Sequence, residues 1–168
     1  MTLTILGIFT IIFSFAAYFQ KDRINFLLLN ASAIATIGIS FYMKGGYIGA
    51  FSELLMFVVH ITAILFNDGV RKKLSLFVPP LIFAAYVYLY GISLCYELIM
   101  PLIMSFFVIG AYQTDMLKNK IYFMVGLLLM SGYSFSIDTK FILFSNLLGV
   151  AILYKIYREL KRDQGKNI

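Results

Sequence analysis

The sequence predicts an all-α, polytopic membrane protein with seven transmembrane helices in a 3+1+3 arrangement, two parallel three-helix-bundle repeats joined by a linker helix. Three observations predict it. The first is composition: 61% of the 168 residues are hydrophobic and 13% charged, with a mean hydropathy of +0.89, whereas soluble domains carry about a quarter charged residues. The second is a series of seven apolar runs, each close to the roughly 17–20 residues that cross a hydrocarbon core. The third is the placement of positive charge. With seven spans, the loops after helices 1, 3 and 5 and the tail share one side and hold 2, 3, 2 and 5 basic residues, 12 of the 14, leaving only Lys44 and Lys140 opposite. Basic residues mark the cytoplasmic side, so the amino terminus is expected outside and the carboxyl terminus inside.

The first run, 3–19, begins without the positive n-region or the small-residue cleavage site of a signal peptide, and is expected to be a mature helix. It is closed by Gln20-Lys21-Asp22-Arg23, and the second run, 24–43, by Lys44-Gly45-Gly46. The third, 47–66, leads into Asn67-Asp68-Gly69 and the basic Arg71-Lys72-Lys73, read as a loop. In the fourth, 74–90, Pro79-Pro80 is expected to bend the helix or to occupy its first turns. The fifth, 93–112, tolerates Glu97 and Pro101; the sixth is 121–137 and the seventh 141–157, after which the chain becomes basic and polar, an amphipathic helix end with a frayed tail. The expected organisation is one membrane domain: 1–66 as the first repeat, 74–90 as linker, 93–157 as the second repeat and 158–168 as cytoplasmic tail.

The repeat is visible in the residues. Gly38-Ile39-Ser40-Phe41 and Phe51-Ser52-Glu53-Leu54-Leu55 return as Gly132-Tyr133-Ser134-Phe135 and Phe144-Ser145-Asn146-Leu147-Leu148. Read by identity, the offset is 94 before the intervening loop and 93 after it, a one-residue deletion. Ala17-Tyr18-Phe19-Gln20-Lys21-Asp22 likewise has a shorter counterpart in Ala111-Tyr112-Gln113-Thr114-Asp115. Such self-similarity marks two copies of one unit. Three spans per copy is odd, so one inserted span restores parallel orientation, with an axis along the membrane normal.

This plan, the outside amino terminus and a Gln closing helices 1 and 5 (Gln20, Gln113) resemble the SWEET and PQ-loop transporters, with Phe19 and Tyr112 where that motif has Pro. Over nearly the whole chain there is a closer resemblance to the YgjV family of small bacterial inner-membrane proteins. It is carried by the first helix ending in a polar, basic turn, Gly46-Tyr47 leading into a third helix with Ser52, and a basic last helix with Lys155 and Arg158. The resemblance implies a multi-pass protein of the bacterial inner membrane and carries no established activity with it.

Functional expectations therefore rest on residues. Glu53, several residues inside a helix, costs about 2.5–3.5 kcal/mol to insert, so such groups face the protein interior or a water-filled cavity; snorkelling to the outer headgroups is the competing reading. Its repeat counterpart is Asn146, and two polar groups at pseudo-symmetric positions would face each other where transporters of this plan bind substrate. His60 follows Glu53 by seven residues, about 10.5 Å along the same face, and is either a proton or cation handler or a histidine satisfied by a carbonyl or hydroxyl. Asn30 and Ser32 on helix 2, and Ser131 and Ser134 on helix 6, are further pocket candidates or interhelical glue. Gly38, Gly126, Gly132 and Gly149 read as close-contact positions. A lone Cys95 excludes an intramolecular disulfide, one histidine makes a poor metal site, and Asp115 and Asp138 lie on opposite sides of the membrane, too far apart for a catalytic dyad. No cofactor and no nucleic-acid partner is expected. The partners expected are the lipid bilayer and a small polar solute, with self-association left open. The leading expectation is a transporter-like protein binding solute between the bundles through Glu53, Asn146, His60, Asn30 and Ser134. The alternatives are an intramembrane lipid-modifying enzyme using Glu53 and His60 as acid and base, and a non-catalytic scaffold.

Overall fold

The computed structural model describes residues 2–45, 47–90, 99–136 and 140–165, and every regular element among them is an α-helix. The seven helices are α1 (Thr2–Phe19), α2 (Arg23–Met43), α3 (Tyr47–Leu65), α4 (Asp68–Tyr90), α5 (Ile99–Tyr112), α6 (Met116–Ser136) and α7 (Lys140–Gly165). Cys95, Glu97 and Asp138 lie outside the described residues. Of these helices α2 alone is both long and apolar enough to cross a membrane; Thr4–Phe19, Ala50–Leu65 and Ile99–Tyr112 are apolar but shorter.

Hydropathy finds the middle of a helix, whereas capping sets its start, and the observed starts follow the caps. Asp22 accepts the Asn25 amide at 2.9 Å and opens α2. Asn67 Oδ1 accepts the Val70 amide at 3.1 Å, so α4 begins at Asp68 and absorbs Arg71-Lys72-Lys73, expected as loop. Asp115 Oδ1 accepts the Leu117 amide at 2.9 Å and opens α6 at Met116, five residues before the apolar run. A side-chain acceptor at these positions satisfies amides that have no intrahelical partner. Arg71 then pairs with Asp68 one turn back, an acid in the first turn of α4 that also complements the helix dipole. Pro79 and Pro80 fall in the interior of α4 rather than its first turns. At the other end of the chain α7 continues as helix to Gly165, through most of the tail expected to fray.

Two compact units divide at Phe66/Asn67. In the first, α2 packs on both α1 and α3; in the second, α4 packs on α5, α5 on α6 and α6 on α7. The α5–α6 contact is built from two reciprocal glycine–aromatic fits. A Cβ on Gly110 would lie 2.8 Å from the Phe123 ring, and one on Gly126 would lie 2.7 Å from the Phe107 ring. Phe107 and Phe123 themselves pack with centroids 5.4 Å apart, so each glycine is the socket for an aromatic of the other helix. In the α1–α2 contact Thr10 and Thr36 hydroxyls meet at 2.7 Å.

The two copies keep a single offset. Phe19 and Tyr112 end α1 and α5, Arg23 and Met116 begin α2 and α6, Met43 and Ser136 end them, and Tyr47 and Lys140 begin α3 and α7. Each of these pairs is 93 residues apart. Gln20 N donates to Ala17 O at 2.9 Å and Gln113 N to Gly110 O at 3.1 Å, so the same turn closes the first helix of each copy at that offset. Burial agrees: of the ten buried positions in 2–66 (17, 26, 27, 31, 33, 34, 56, 59, 60 and 63), eight are buried again 93 residues on, but only four at an offset of 94. Gly38 is therefore level with Ser131, not Gly132, and the copies need no deletion between Gln20 and Glu53.

Candidate functional site

The α2–α3 hairpin turns tightly: Lys44 N donates to Phe41 O and Gly45 N to Tyr42 O, each at 3.0 Å, with Gly45 at φ 76°, left-handed backbone that favours glycine. In a hairpin this short, residues equidistant from the turn lie level on the two helices. Asn30 and His60, each fifteen positions from Gly45, meet: Asn30 Nδ2 lies 2.9 Å from His60 Nε2. The other ring nitrogen, Nδ1, lies 2.8 Å from the Met56 carbonyl oxygen. A carbonyl only accepts, so Nδ1 carries the proton, and the Asn30 amide donates to the bare Nε2. The imidazole is fully buried, and both nitrogens are committed.

Three residues further along α3 the Ala63 carbonyl accepts from Arg23 Nη2 at 2.9 Å. Arg23 thus reaches from the first residue of α2 to the last turn of α3, where carbonyls lack intrahelical donors. Seven residues before His60, Glu53 lies level with Gly38; a Cβ on Gly38 would sit 3.2 Å from the Glu53 Cβ. The absent side chain lets α2 approach the Glu53 backbone. Glu53 is half-buried, and its carboxylate has no hydrogen bond or ion pair among the described residues.

In the second copy Asn146, half-buried on α7, keeps a buried Nδ2 with no hydrogen-bond partner among the described residues. Asn146 stands 93 positions after Glu53. At the same offset Asn30 and His60 become Phe123 and Leu153, both buried, so the position that is a polar pair in the first copy is apolar in the second. Ser134 falls in the last turn of α6 with its side chain outside the described residues. Of the five candidates, then, Asn30 and His60 are brought together, Glu53 shares their seam about 10.5 Å away, and Asn146 belongs to the other unit. Sequence reasoning passed over Arg23 and Asn119. Asn119 is fully buried at the start of α6, where Nδ2 donates to Gly110 O at 2.8 Å. The signal for it was its position one turn after the capping Asp115.

Two surface cavities are described. One of about 350 Å³ lies between the start of α4 and the end of α5, lined by Asp68, Lys72, Ser75, Leu76, Tyr112, Gln113 and Thr114. The other, about 590 Å³, runs along the end of α7. Glu53, Asn146, His60 and Asn30 line neither. Among the described residues no three His, Cys, Asp or Glu side chains are grouped as metal ligands. No family model, curated protein or solved structure matches the chain.

Proposed function

We propose that the protein is a seven-span inner-membrane protein, amino terminus outside and carboxyl terminus cytoplasmic, that binds a small polar solute and carries it across the membrane. Glu53 and Asn146, one from each copy, are the solute-binding groups. One observation carries this reading: the repeat-equivalent pair retains polar groups without partners among the described residues, whereas Asn30 and His60 consume each other's capacity. Buried polar groups are nearly always hydrogen-bonded, and those that are not call for an explanation. A carboxylate acceptor in one copy and an amide donor in the other suit a solute bearing hydroxyl or amino groups.

The membrane setting is supported by an inside-out distribution. Ile8 and Ile12 on α1, Leu54 on α3, Leu76, Phe77 and Leu81 on α4 and Phe144 on α7 are exposed, while His60, Asn119 and Lys120 are fully buried. Apolar surface on this scale needs lipid or protein to cover it. The acid–base enzyme reading fares worse, because His60 would have to break a bond to Met56 or Asn30 before it could exchange a proton.

The test is uptake into vesicles, together with solute-dependent thermal stabilisation in detergent, for a panel of neutral sugars and amino acids from pH 5 to 8. A solute that acts on the parent should lose its effect, or the pH dependence of that effect, in Glu53→Gln, and should be weakened in Asn146→Leu. Responses identical to the parent's in both variants overturn the assignment.

A further inference from the structure

α7 outlasts the apolar run that would span the bilayer, continuing as helix from Tyr157 to Gly165. Around that boundary its two faces differ. Leu153 and Ile156 are buried and Tyr157 and Leu160 half-buried on one side; Tyr154, Lys155, Arg158, Lys161 and Arg162 are exposed on the other. The spacings 154–158–161 and 155–158–162 place those five side chains on one helical face. That face bounds the open cleft of about 590 Å³, lined by Tyr154, Lys155, Arg158, Glu159, Lys161 and Arg162. Four cations and a single carboxylate leave the cleft strongly positive. Compensation of the helix dipole explains a cation in the last turn, such as Arg162; it does not explain Lys155 and Arg158, one to two turns earlier.

We infer that this cleft binds the phosphate-bearing headgroups of anionic phospholipids in the leaflet from which α7 emerges. Clusters of four to eight Lys or Arg immediately beyond a spanning helix are attracted to anionic headgroups, with a reach set by the Debye length. Tyr154 supplies the amphipathic ring that settles at the headgroup level, and the buried Leu153–Ile156 side ties the helix to its own bundle, so the basic face is held outward. The inference rests on the membrane reading above and is independent of the solute assigned to Glu53 and Asn146.

The full chain, purified in an uncharged detergent, is melted with added phosphatidylglycerol, with phosphatidylcholine or with inorganic phosphate. Phosphatidylglycerol should raise the melting midpoint by several degrees more than phosphatidylcholine, and about 0.5 M sodium chloride should erase the difference by screening. The triple variant R158Q/K161Q/R162Q, which keeps helix-forming side chains, should lose at least half of the preference. Equal midpoints with the two lipids, a preference that survives both salt and the triple variant, or a shift reproduced by inorganic phosphate alone each overturn the inference. Should the triple variant fail to fold, the salt arm on the unaltered protein decides. Alkaline extraction of membranes is run alongside: release of the parent into the supernatant sinks the membrane reading itself, whereas retention with no lipid preference sinks only the cleft.

Discussion

His60 accepts a hydrogen bond from Asn30 across the α2–α3 seam at 2.9 Å while donating to the carbonyl of Met56 at 2.8 Å, and the two contacts together fix the ring as the neutral Nδ1–H tautomer. A fully buried imidazole held in this way joins two helices. Removing one partner strands the other, at about 1–3 kcal/mol for a buried unsatisfied group. Asn30→Leu and His60→Leu should each destabilise by that order, and the double variant by less than their sum, with a coupling of about 0.5–3 kcal/mol. The second copy, with Phe123 and Leu153 at these positions, is the precedent for an apolar pair there. Strictly additive losses in denaturant melts would separate the two residues energetically.

The α5–α6 contact gives an internal control for glycine. Alanine in a helix is favoured over glycine by about 0.5–1 kcal/mol. At Gly132 an added Cβ meets nothing within 4 Å among the described residues, so Gly132→Ala should be neutral or stabilising by up to that amount. At Gly110 and Gly126 the added Cβ overlaps the Phe123 and Phe107 rings, and these rings are packed on each other. Overpacking of this kind costs about 1–3 kcal/mol, so both substitutions should lower the melting midpoint. A Gly126→Ala protein as stable as Gly132→Ala would mean that the interlock is not tight in solution.

The caps of α2 and α6 should be interchangeable in cost. Asp22 and Asp115 stand at equivalent positions of the two copies, and each accepts one first-turn amide at 2.9 Å, from Asn25 three residues on and from Leu117 two residues on. Asp→Ala at either should cost about 0.5–2 kcal/mol, and the two losses should agree within error. A large difference would show that the two turns carry unequal loads.

How far the sequence announced this architecture follows from which physical signal each feature leaves. Seven apolar runs predict seven helix bodies, and all seven helices are present among the described residues. Their starts were misplaced wherever a polar cap preceded the apolar stretch, as at Asn67 and Asp115, because hydropathy is blind to a side-chain oxygen accepting a backbone amide. The repeat was recognisable but matched through Gly38 and Gly132, where identity in an alphabet this rich in small and aliphatic residues is cheap. Which positions are buried is the stronger register mark, and it moves the pairing to Ser131. Asn30 and His60 were both picked out, yet not joined, although their equal distance from Gly45 predicts that they meet. Gly38 and Glu53, seven and eight positions from Gly45, come level within one residue by the same reasoning, which leaves the vacancy at Gly38 beside Glu53.

Charge placement makes a separate prediction about orientation. With Cys95 replaced, a cysteine at Gln164 should be labelled by a membrane-impermeant thiol reagent only from the cytoplasmic side, and one at Thr139 only from outside. The 12 basic residues on one face and two on the other set this expectation. Labelling of both from the same side would mean an even number of spans between them and remove the seven-span arrangement.

The last prediction separates the position of Glu53 from its chemistry. Gly38→Ala introduces a Cβ 3.2 Å from the Glu53 Cβ, a contact tight enough that the α2–α3 seam must open by a few tenths of an ångström. The gain in helix propensity, about 0.5–1 kcal/mol, offsets part of that strain, so stability should change by no more than about 1–2 kcal/mol. The carboxylate remains but is displaced. If Glu53 contacts solute, Gly38→Ala should weaken binding while preserving its pH dependence, because the titrating group is still present. Glu53→Gln should do the reverse, abolishing pH dependence because an amide cannot titrate. Comparing solute-dependent midpoints of the two variants across pH 5 to 8 distinguishes them. Identical profiles for Gly38→Ala and the parent would mean that the seam tolerates the methyl group without moving Glu53, or that no solute reads its position; retained pH dependence in Glu53→Gln would assign the titration to another residue.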